Sequence, residues 1–392
     1  MSSSSLKVGI DLSPIGFRER APGTAVHVEN QARALLALDV EWDWVLVATP
    51  RALRDTPFFE SFGPIVIGDS PLSYHTTFRV GRAWAKAGCA LGLATAFFAP
   101  VMGPPVVTNY FDANAFHPVS PFHRQRDRVK SAVIALMWRF SRRRSRALFI
   151  LSDYGRRRMS EVDPSSASKW VVAPCGCPPV PTLSHPPMWA ERLAARPFIL
   201  YAGDFSANKN QLRLIEAWDQ VRRRQDSLPP LVLIGPCPAD YFREVIKPAC
   251  ARVTAPDDVI IPGFLPTNEV GWAFHQSHAY IQPSFAEGFG LPVVEAMSCG
   301  TPVACSDSTS LPEVAGNAAL LFEPSSVDSI AKALQTISFD ETERSRLKAA
   351  GLTRAKEFTW KRNATIIADR IRAELALISA EGNRPNSSPD TE

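Results

Sequence analysis

The sequence of 392 residues contains no hydrophobic run long enough to cross a bilayer. Its longest uncharged stretch, residues 87–107, is interrupted by glycine and proline, and its apolar part is shorter than the roughly 20 residues that a membrane-spanning helix needs. The N-terminal residues MSSSSLKVGID have no apolar core before the first predicted strand, so they predict no export signal. We therefore expect a soluble or peripheral protein.

Motifs that bind metals or form disulfides are also missing. The seven cysteines include no C-x-x-C, and Cys175 and Cys177 are too close in sequence for an ordinary disulfide or for typical zinc ligands. No D-x-D motif occurs, and His275 and His278 lack the four-residue spacing of helical metal ligands. These absences predict a reducing, cytosolic compartment and a chemistry that requires no metal.

The chain does have the length and composition of a folded two-domain protein. Its residues are 45% hydrophobic, and 392 residues suit two domains of roughly 150 to 200 residues each. Short apolar runs alternate with helical stretches, which predicts parallel sheets covered on both faces, with ligands at the carboxyl ends of the strands. The predicted strands span residues 6–11, 44–49, 63–68, 96–99, 105–108, 148–152, 197–203, 231–235, 259–263, 278–283, 301–305 and 319–324. A proline-dense tract at 178–187 predicts a semi-rigid linker.

Positive charge is concentrated in one region. Residues 122–158 contain twelve Lys or Arg and two Asp, whereas the whole chain has a net charge of only +4. This asymmetry predicts an anionic partner. A helix within SAVIALMWRFSRRRSR (131–146), with Trp138 at the interface, would suit an anionic membrane leaflet. A core-packed helix with a solvated end explains the pattern equally well. No motif for nucleic-acid binding accompanies the charges, so we expect no nucleic-acid partner.

The most informative stretch is PSFAEGFGLPVVEAMSCG, residues 283–300. It begins where a predicted strand ends, crosses a loop with Gly288 and Gly290, and enters an apolar helix at about Leu291. Free amides and the helix dipole at such a turn attract an anion such as phosphate. Glu287 in the loop could accept hydrogen bonds from sugar hydroxyls, and Glu295 on the helix could bind a vicinal diol such as a ribose. A surface carboxylate and a helix-capping glutamate would explain the same spacing.

The runs EGFGLPVVEA (287–296), CGTPV (299–303) and LPEV (311–314) follow one another in that order. Together they resemble the donor-binding signature of the retaining GT-B glycosyltransferases of family four. The resemblance implies an α/β fold with two Rossmann-like, doubly wound domains facing across a cleft. It also implies an acceptor domain over residues 1–180 and a donor domain over 181–360. A helix over 361–380 would cross back to the first domain, before a disordered tail at 381–392.

The resemblance also implies roles for individual residues. Lys209 would neutralise the donor diphosphate and Glu287 would contact the donor sugar, and both are assigned to catalysis together with Asp112. The implied donor-binding residues are Gly23, Gly203, Lys209, Phe264, Leu265, Glu287, Gly288, Phe289, Gly290, Leu291 and Glu295. Simpler interpretations remain for three of these residues: an exposed lysine at 209, a plain loop glycine at 23, and a turn-capping aspartate at 112.

The chain departs from the family pattern beside Lys209. Asp204 and Asn208 stand where members of the family carry arginine, so one of two expected cations is missing. The resemblance still implies retaining transfer of a hexose to a hydroxyl of a saccharide or lipid-linked saccharide. The motifs GIDLSP and GDFSANKN resemble those of mannosyltransferase-like members, so GDP-mannose is the expected donor, with no resident cofactor. The alternative is a noncatalytic protein that binds nucleotide sugars.

Overall fold

Short parallel strands and the helices between them account for most of the structure. The computed structural model describes residues 5–17, 22–69, 73–111 and 128–382. The strands are Leu6–Asp11 (β1), Trp42–Ala48 (β2), Ile65–Val66 (β3), Leu91–Ala94 (β4), Val106–Tyr110 (β5), Ser145–Ile150 (β6), Trp170–Val172 (β7), Ile199–Ala202 (β8), Leu231–Ile234 (β9), Val259–Gly263 (β10), Ala279–Gln282 (β11), Val303–Ser306 (β12) and Ala319–Phe322 (β13). The helices are Pro22–Leu36 (α1), Pro50–Asp55 (α2), Ser73–Lys86 (α3), Arg128–Arg144 (α4), Asp153–Val162 (α5), Gln211–Arg222 (α6), Ala239–Tyr241 (α7), Lys247–Ala251 (α8), Thr267–Gln276 (α9), Leu291–Ser298 (α10), Leu311–Ala315 (α11), Val327–Phe339 (α12), Glu341–Ala355 (α13) and Trp360–Gly382 (α14).

The first sheet has the strand order β3-β2-β1-β4-β5-β6-β7, with parallel pairing throughout. Helices cover both faces, so the central strands β4 and β5 are buried along their whole length. Trp84 of α3 lies directly on the sheet. A Cβ atom at Gly9 or Gly92 would stand 2.2 or 2.4 Å from the Trp84 ring, so only glycine permits this close packing. The strand order reverses between β1 and β4.

The second sheet has the order β10-β9-β8-β11-β12-β13 and is also parallel. Its strand order reverses between β8 and β11, which makes the carboxyl ends of these two strands a topological switch point. One apolar core lies between this sheet and α6 and α12, and includes Trp218 and Leu334. Another core, on the opposite face, includes Val293 and Met297 of α10. The two sheets confirm the predicted α/β architecture with two doubly wound units.

The last helix, α14, returns to the first sheet and packs against α1. A buried network joins the two helices. Gln31 Nε2 donates to Asn363 Oδ1 at 3.0 Å and lies 3.2 Å from His27 Nε2. The other ring nitrogen of His27, Nδ1, lies 3.3 Å from Cys175 Sγ. Burial lowers the pKa of His27 to about 3, so the ring is neutral. Asn363 also donates to the carbonyl of Ala173, which fixes the end of the first sheet beneath α14.

The sequence-based boundaries were wrong in some places. No strand occupies residues 96–99: β4 lies earlier, and Phe97 adopts a φ of +29° in the following turn. The strand expected over 63–68 has only two residues, Ile65–Val66. Helix α14 continues to Gly382, two residues beyond the predicted end at residue 380, and Glu381 in this extension pairs with Arg146. Residues 383–392 lie outside the described residues.

The helix in the basic region differs from the predicted membrane-facing helix. Trp138 is buried, and its ring stacks on Phe97 instead of facing an interface. Arg142 pairs with Asp163 at 2.9 Å. The side chain of Arg144 donates to three carbonyls of the loop at residues 100–104. Helical periodicity marked the apolar face correctly but could not show that a neighbouring loop and strand cover it. Of the helices that the structure describes, none is both long and apolar enough to cross a membrane.

Candidate active site

Two oppositely charged side chains meet at the switch point of the second sheet. Lys209 follows β8 through a short 3-10 turn, and Glu287 follows β11. Although these residues are 78 positions apart, Lys209 Nζ lies 2.8 and 2.9 Å from the two carboxylate oxygens of Glu287. They meet because β8 and β11 are neighbours in the sheet and end at the same edge. The sequence predicted both residues for the site.

Glu287 is held by neutral hydrogen-bonding groups as well as by the lysine. Gln282, at the end of β11 and buried, donates to Glu287 Oε1 at 2.8 Å. The Tyr280 hydroxyl donates in turn to the Gln282 side-chain oxygen. The backbone amide of Glu287 donates to Thr309 Oγ1 at 2.9 Å, and Ser310 Oγ donates to the Glu287 carbonyl at 2.9 Å. These contacts fix the position of the carboxylate before any ligand binds.

The loop after Glu287 leads directly into α10. Gly290 has a φ of +96°, and a Cβ atom there would lie 2.5 Å from the Leu311 side chain, so the turn requires glycine. The Phe289 side chain is buried against Phe358. Among the described residues, none accepts a hydrogen bond from the amides of Gly288, Phe289 or Gly290. These amides precede a helix N-terminus, where the backbone dipoles favour an anion.

Glycines end three neighbouring strands of the same sheet. Gly203 follows β8, Gly235 follows β9 and Gly263 ends β10, with φ angles of +157°, +141° and +89°. A Cβ atom at Gly235 would lie 2.1 Å from the Gly203 carbonyl oxygen, so the backbones approach as closely as the absence of side chains allows. Phe264 follows Gly263 and is 74% exposed, whereas Leu265 is half-buried and packs against the core.

Glu295 differs from Glu287 because no residue that the structure describes compensates its charge. Its side chain is half-buried on α10, and within the described chain no donor forms a hydrogen bond with its carboxylate. Burial raises its pKa to about 7. The nearby groups include the thiols of Cys175 and Cys177, which are poor donors. A half-buried carboxylate with free acceptor capacity suits a ligand that presents two hydroxyl groups.

The second cation expected beside Lys209 is absent from both positions where the family carries it. The Asp204 side chain is exposed, and its carbonyl oxygen accepts hydrogen bonds from the Tyr201 hydroxyl and Gln211. Asn208 instead joins the two loops: its Nδ2 donates to the Ala286 carbonyl at 2.9 Å. Of these three positions, only Lys209 therefore carries a positive charge.

The structure brings some of the other predicted residues less clearly into the site. Gly23 lies in the first turn of α1 and is exposed, and a Cβ atom at this position would have no neighbouring atom within 4 Å. Asp112 lies outside the described residues, and the adjacent Phe111 contacts the His27 ring. The sequence did not identify Gln282 or Thr309. A polar residue at the end of an apolar strand was the available signal for Gln282.

Glu295→Gln should stabilise the ligand-free protein at high pH. Because the folded-state pKa of Glu295 is about 7 against an ordinary 4.5, the carboxylate costs stability as the pH rises through this window. The full cost above pH 7 is about 3 kcal/mol. The variant should therefore melt at a higher temperature than wild type at pH 8 and at the same temperature at pH 4. Equal melting temperatures at pH 8 would contradict the burial of an uncompensated charge.

Known proteins share both the sequence and the architecture of this chain. The family model for group 1 glycosyl transferases matches residues 190–354. The O-antigen chain mannosyltransferase B of Escherichia coli is 30% identical over 275 residues, which cover 69% of this chain and 70% of that protein. Sucrose-phosphate synthase from Thermosynechococcus elongatus superposes with a TM-score of 0.73 at 19% identity, over 95% of this chain and 100% of that one. HepE from Anabaena, solved in complex with UDP-glucose, has a TM-score of 0.66 at 17% identity, with 95% and 100% covered. The chain therefore belongs to the group 1 glycosyl transferases and has their GT-B fold.

Proposed function

We propose that this glycosyltransferase moves a hexose, with retention at the anomeric carbon, from a nucleotide diphosphate sugar to a hydroxyl of a saccharide or lipid-linked saccharide. The observation that carries the proposal is the Lys209–Glu287 pair at the switch point, beside the uncompensated Glu295. The proposed donor is GDP-mannose, because the relative from Escherichia coli is named a mannosyltransferase. The HepE complex with UDP-glucose supports a nucleotide-sugar donor as a class.

The proposed reaction uses the donor itself for proton transfer. The bond between the anomeric carbon and the phosphate oxygen breaks, and the acceptor hydroxyl forms a new bond to that carbon on the same face. The departing phosphate oxygen takes the hydroxyl proton. Lys209 and the amides of Gly288 and Gly290 stabilise the negative charge that develops on the diphosphate. The nucleotide sugar is a substrate, and no step is assigned to a resident cofactor.

The ion pair suggests how the donor enters the site. Lys209 Nζ contacts both carboxylate oxygens of Glu287. An incoming diphosphate competes for the lysine, and the Glu287 carboxylate becomes available to sugar hydroxyls. Gln282 keeps this carboxylate oriented during the exchange, because its hydrogen bond does not depend on Lys209. Glu295 would then bind the ribose.

Other residues have roles in the proposal that follow from the family resemblance. The backbone at Gly203 would lie beside the diphosphate, and the backbone at Phe264 and Leu265 would contact the base. Gly23 would lie at the cleft near the donor and the acceptor, and Asp112 would orient the acceptor sugar or the donor sugar.

Lys209→Ala should lower kcat by two or more orders of magnitude. Removing one donor that stabilises developing charge costs about 2.7 to 4 kcal/mol of activation free energy. Nucleotide release from GDP-mannose, with and without acceptor, measures this effect. Lys332→Ala is the matched control, because Lys332 lies on α12 and lines a groove remote from the switch point. Near-normal turnover in Lys209→Ala would rule out the assigned role.

A second candidate function, noncatalytic binding of a nucleotide sugar, rests on the missing cation. Asp204 supplies no positive charge where the family carries arginine, so the transition state has less electrostatic support. The two functions differ in one observable. A transferase slowly releases free sugar and nucleotide even without acceptor, whereas a binding protein is stabilised by the donor and releases neither.

A panel of nucleotide sugars should identify the donor through thermal stability. A ligand that binds only the folded state stabilises it by RT ln(1 + [L]/Kd), about 2.7 kcal/mol at a concentration of 100 Kd. We expect GDP-mannose to raise the melting temperature more than UDP-glucose, UDP-galactose or GDP-glucose at equal concentration. The Glu295→Gln variant serves as control, because it should lose most of the shift. A larger shift with a uridine donor would refute GDP-mannose.

We also propose that the first domain docks on an anionic membrane leaflet through the exposed side of α4. Leu136, Arg139, Phe140 and Arg143 are exposed and follow the three- and four-residue spacing of one helix face. Leu136 is 68% exposed and Phe140 is 41% exposed, so two large apolar side chains lie beside the basic groups of this face. The combination of apolar and basic groups on one face fits a membrane interface and a lipid-linked acceptor.

Replacing both exposed arginines of this face should release the protein from anionic vesicles. Arg139→Glu with Arg143→Glu should abolish cosedimentation with vesicles of phosphatidylglycerol and phosphatidylcholine at low salt, since each basic group contributes about 1 kcal/mol. Arg224→Glu with Arg252→Glu makes the same charge change on exposed residues of the second domain and should leave binding intact. Equal loss in both pairs would indicate net charge alone, and no loss in either would refute docking through α4.

A further inference from the structure

A carboxylate from the second domain caps a helix of the first domain. Helix α5 follows β6, and its N-cap residue is Ser152. The amides of Asp153 and Tyr154, in its first turn, donate to the two carboxylate oxygens of Glu313 at 2.7 and 2.9 Å. Glu313 belongs to α11, about 160 residues later in the chain. A carboxylate at a helix N-terminus interacts favourably with both the free amides and the helix dipole.

Glu313 ends a strap, residues 309–313, which also holds the loop that carries Glu287. Thr309 Oγ1 accepts from the Glu287 amide, and Ser310 Oγ donates to the carbonyls of Glu287 and Phe289 at 2.9 and 3.2 Å. Thr309 adopts a φ of +56°, a conformation that a β-branched residue keeps only where its surroundings fix it. The strap therefore connects the carboxylate of the site to the helix of the other domain.

Further contacts hold the strap from within the second domain and the loop from the first domain. Arg354 of α13 donates to the carbonyls of Glu313 and Val314 at 2.7 and 3.0 Å. Ser152 Oγ donates to the carbonyl of Gly288 at 3.1 Å, so the N-terminus of α5 also contacts the glycine loop directly. The first domain thus contacts the donor loop at Gly288 and the strap at Glu313.

We propose that Glu313 is a positioning residue for the transfer reaction. Its carboxylate docks α5 against the donor domain and, through the strap, holds Glu287 and the glycine loop in the arrangement that reacts. The proposal rests on the proposed transfer from a nucleotide sugar. Losing the bond across the domains should slow turnover, while binding of the nucleotide, which the proposed function assigns mainly to the second domain, should continue.

The bond can be removed from either side. Glu313→Gln replaces one acceptor oxygen with an amide group that cannot accept from a backbone N–H. Asp153→Pro removes the N–H that donates to Glu313 Oε1, and the first position of a helix tolerates proline. Ser152 has φ −144° and ψ 155°, the extended conformation that suits a residue before proline. Asp153→Ala is the matched control, because it loses the same side chain and keeps the N–H.

Three measurements test the proposal. Glu313→Gln and Asp153→Pro should each lower kcat for nucleotide release in the presence of acceptor at least about tenfold, since a hydrogen bond to a charged group is lost. The double variant should be no slower than the slower single variant, because both changes remove one contact. Titration with GDP and with UDP should give dissociation constants within about twofold of wild type. Hydrogen exchange of the Tyr154 amide should accelerate in Glu313→Gln and remain slow in Asp153→Ala.

Each alternative outcome has a definite meaning. If Asp153→Pro and Asp153→Ala turn over equally fast, the bond across the domains does not position the site and the proposal fails. If Glu313→Gln weakens nucleotide binding as much as turnover, Glu313 acts within the donor site, which also overturns it. If wild type releases no nucleotide from any donor, the proposed function fails. The exchange rate of the Tyr154 amide still shows in that case whether Glu313 holds α5, and unchanged exchange in Glu313→Gln overturns the docking role.

Discussion

The pairing of Lys209 with Glu287 is the interaction on which the site depends. Each charge is largely withdrawn from water, with 24% and 11% of the side chain exposed, so neither would be stable there alone. The doubly wound topology brings them together, because the strands that precede them are neighbours at the point where the strand order reverses. The fold thus holds the partly desolvated charge of Lys209 at the position proposed for the diphosphate of the donor.

Glu295 shows the opposite arrangement, and the contrast explains how one short segment can perform two tasks. Glu287 has a cation and Gln282 as partners, whereas Glu295 faces thiols and has its pKa raised by burial. A carboxylate that the protein leaves uncompensated lowers the stability of the ligand-free state. Functional sites commonly retain such unfavourable groups, because the ligand supplies the missing hydrogen bonds.

The sequence predicted the parts of this structure that local pattern determines. The apolar strands gave the two parallel sheets, and the run from Glu287 to Glu295 located the loop and helix of the site, because glycine, proline and carboxylate spacing act within a few residues. The orientation of Trp138 was not predictable, since periodicity marks an apolar face without showing what covers it. The support of Glu287 by Gln282 and Thr309 was missed because it arises from strands and loops distant in sequence.

The backbone of the crevice has groups that can act in place of the arginine that is absent at position 204. A side-chain cation must be ordered and desolvated before it can stabilise a diphosphate, whereas backbone amides at a glycine turn are already fixed. Gly203 and Gly235 bring the backbone ends of two strands together, and Gly290 opens the turn before α10. The Asp204 side chain is exposed, so solvent and salt screen its repulsion of an anionic ligand. Under the proposed function, one lysine with a preorganised backbone would replace the second cation, provided that the domains hold the glycine loop in place.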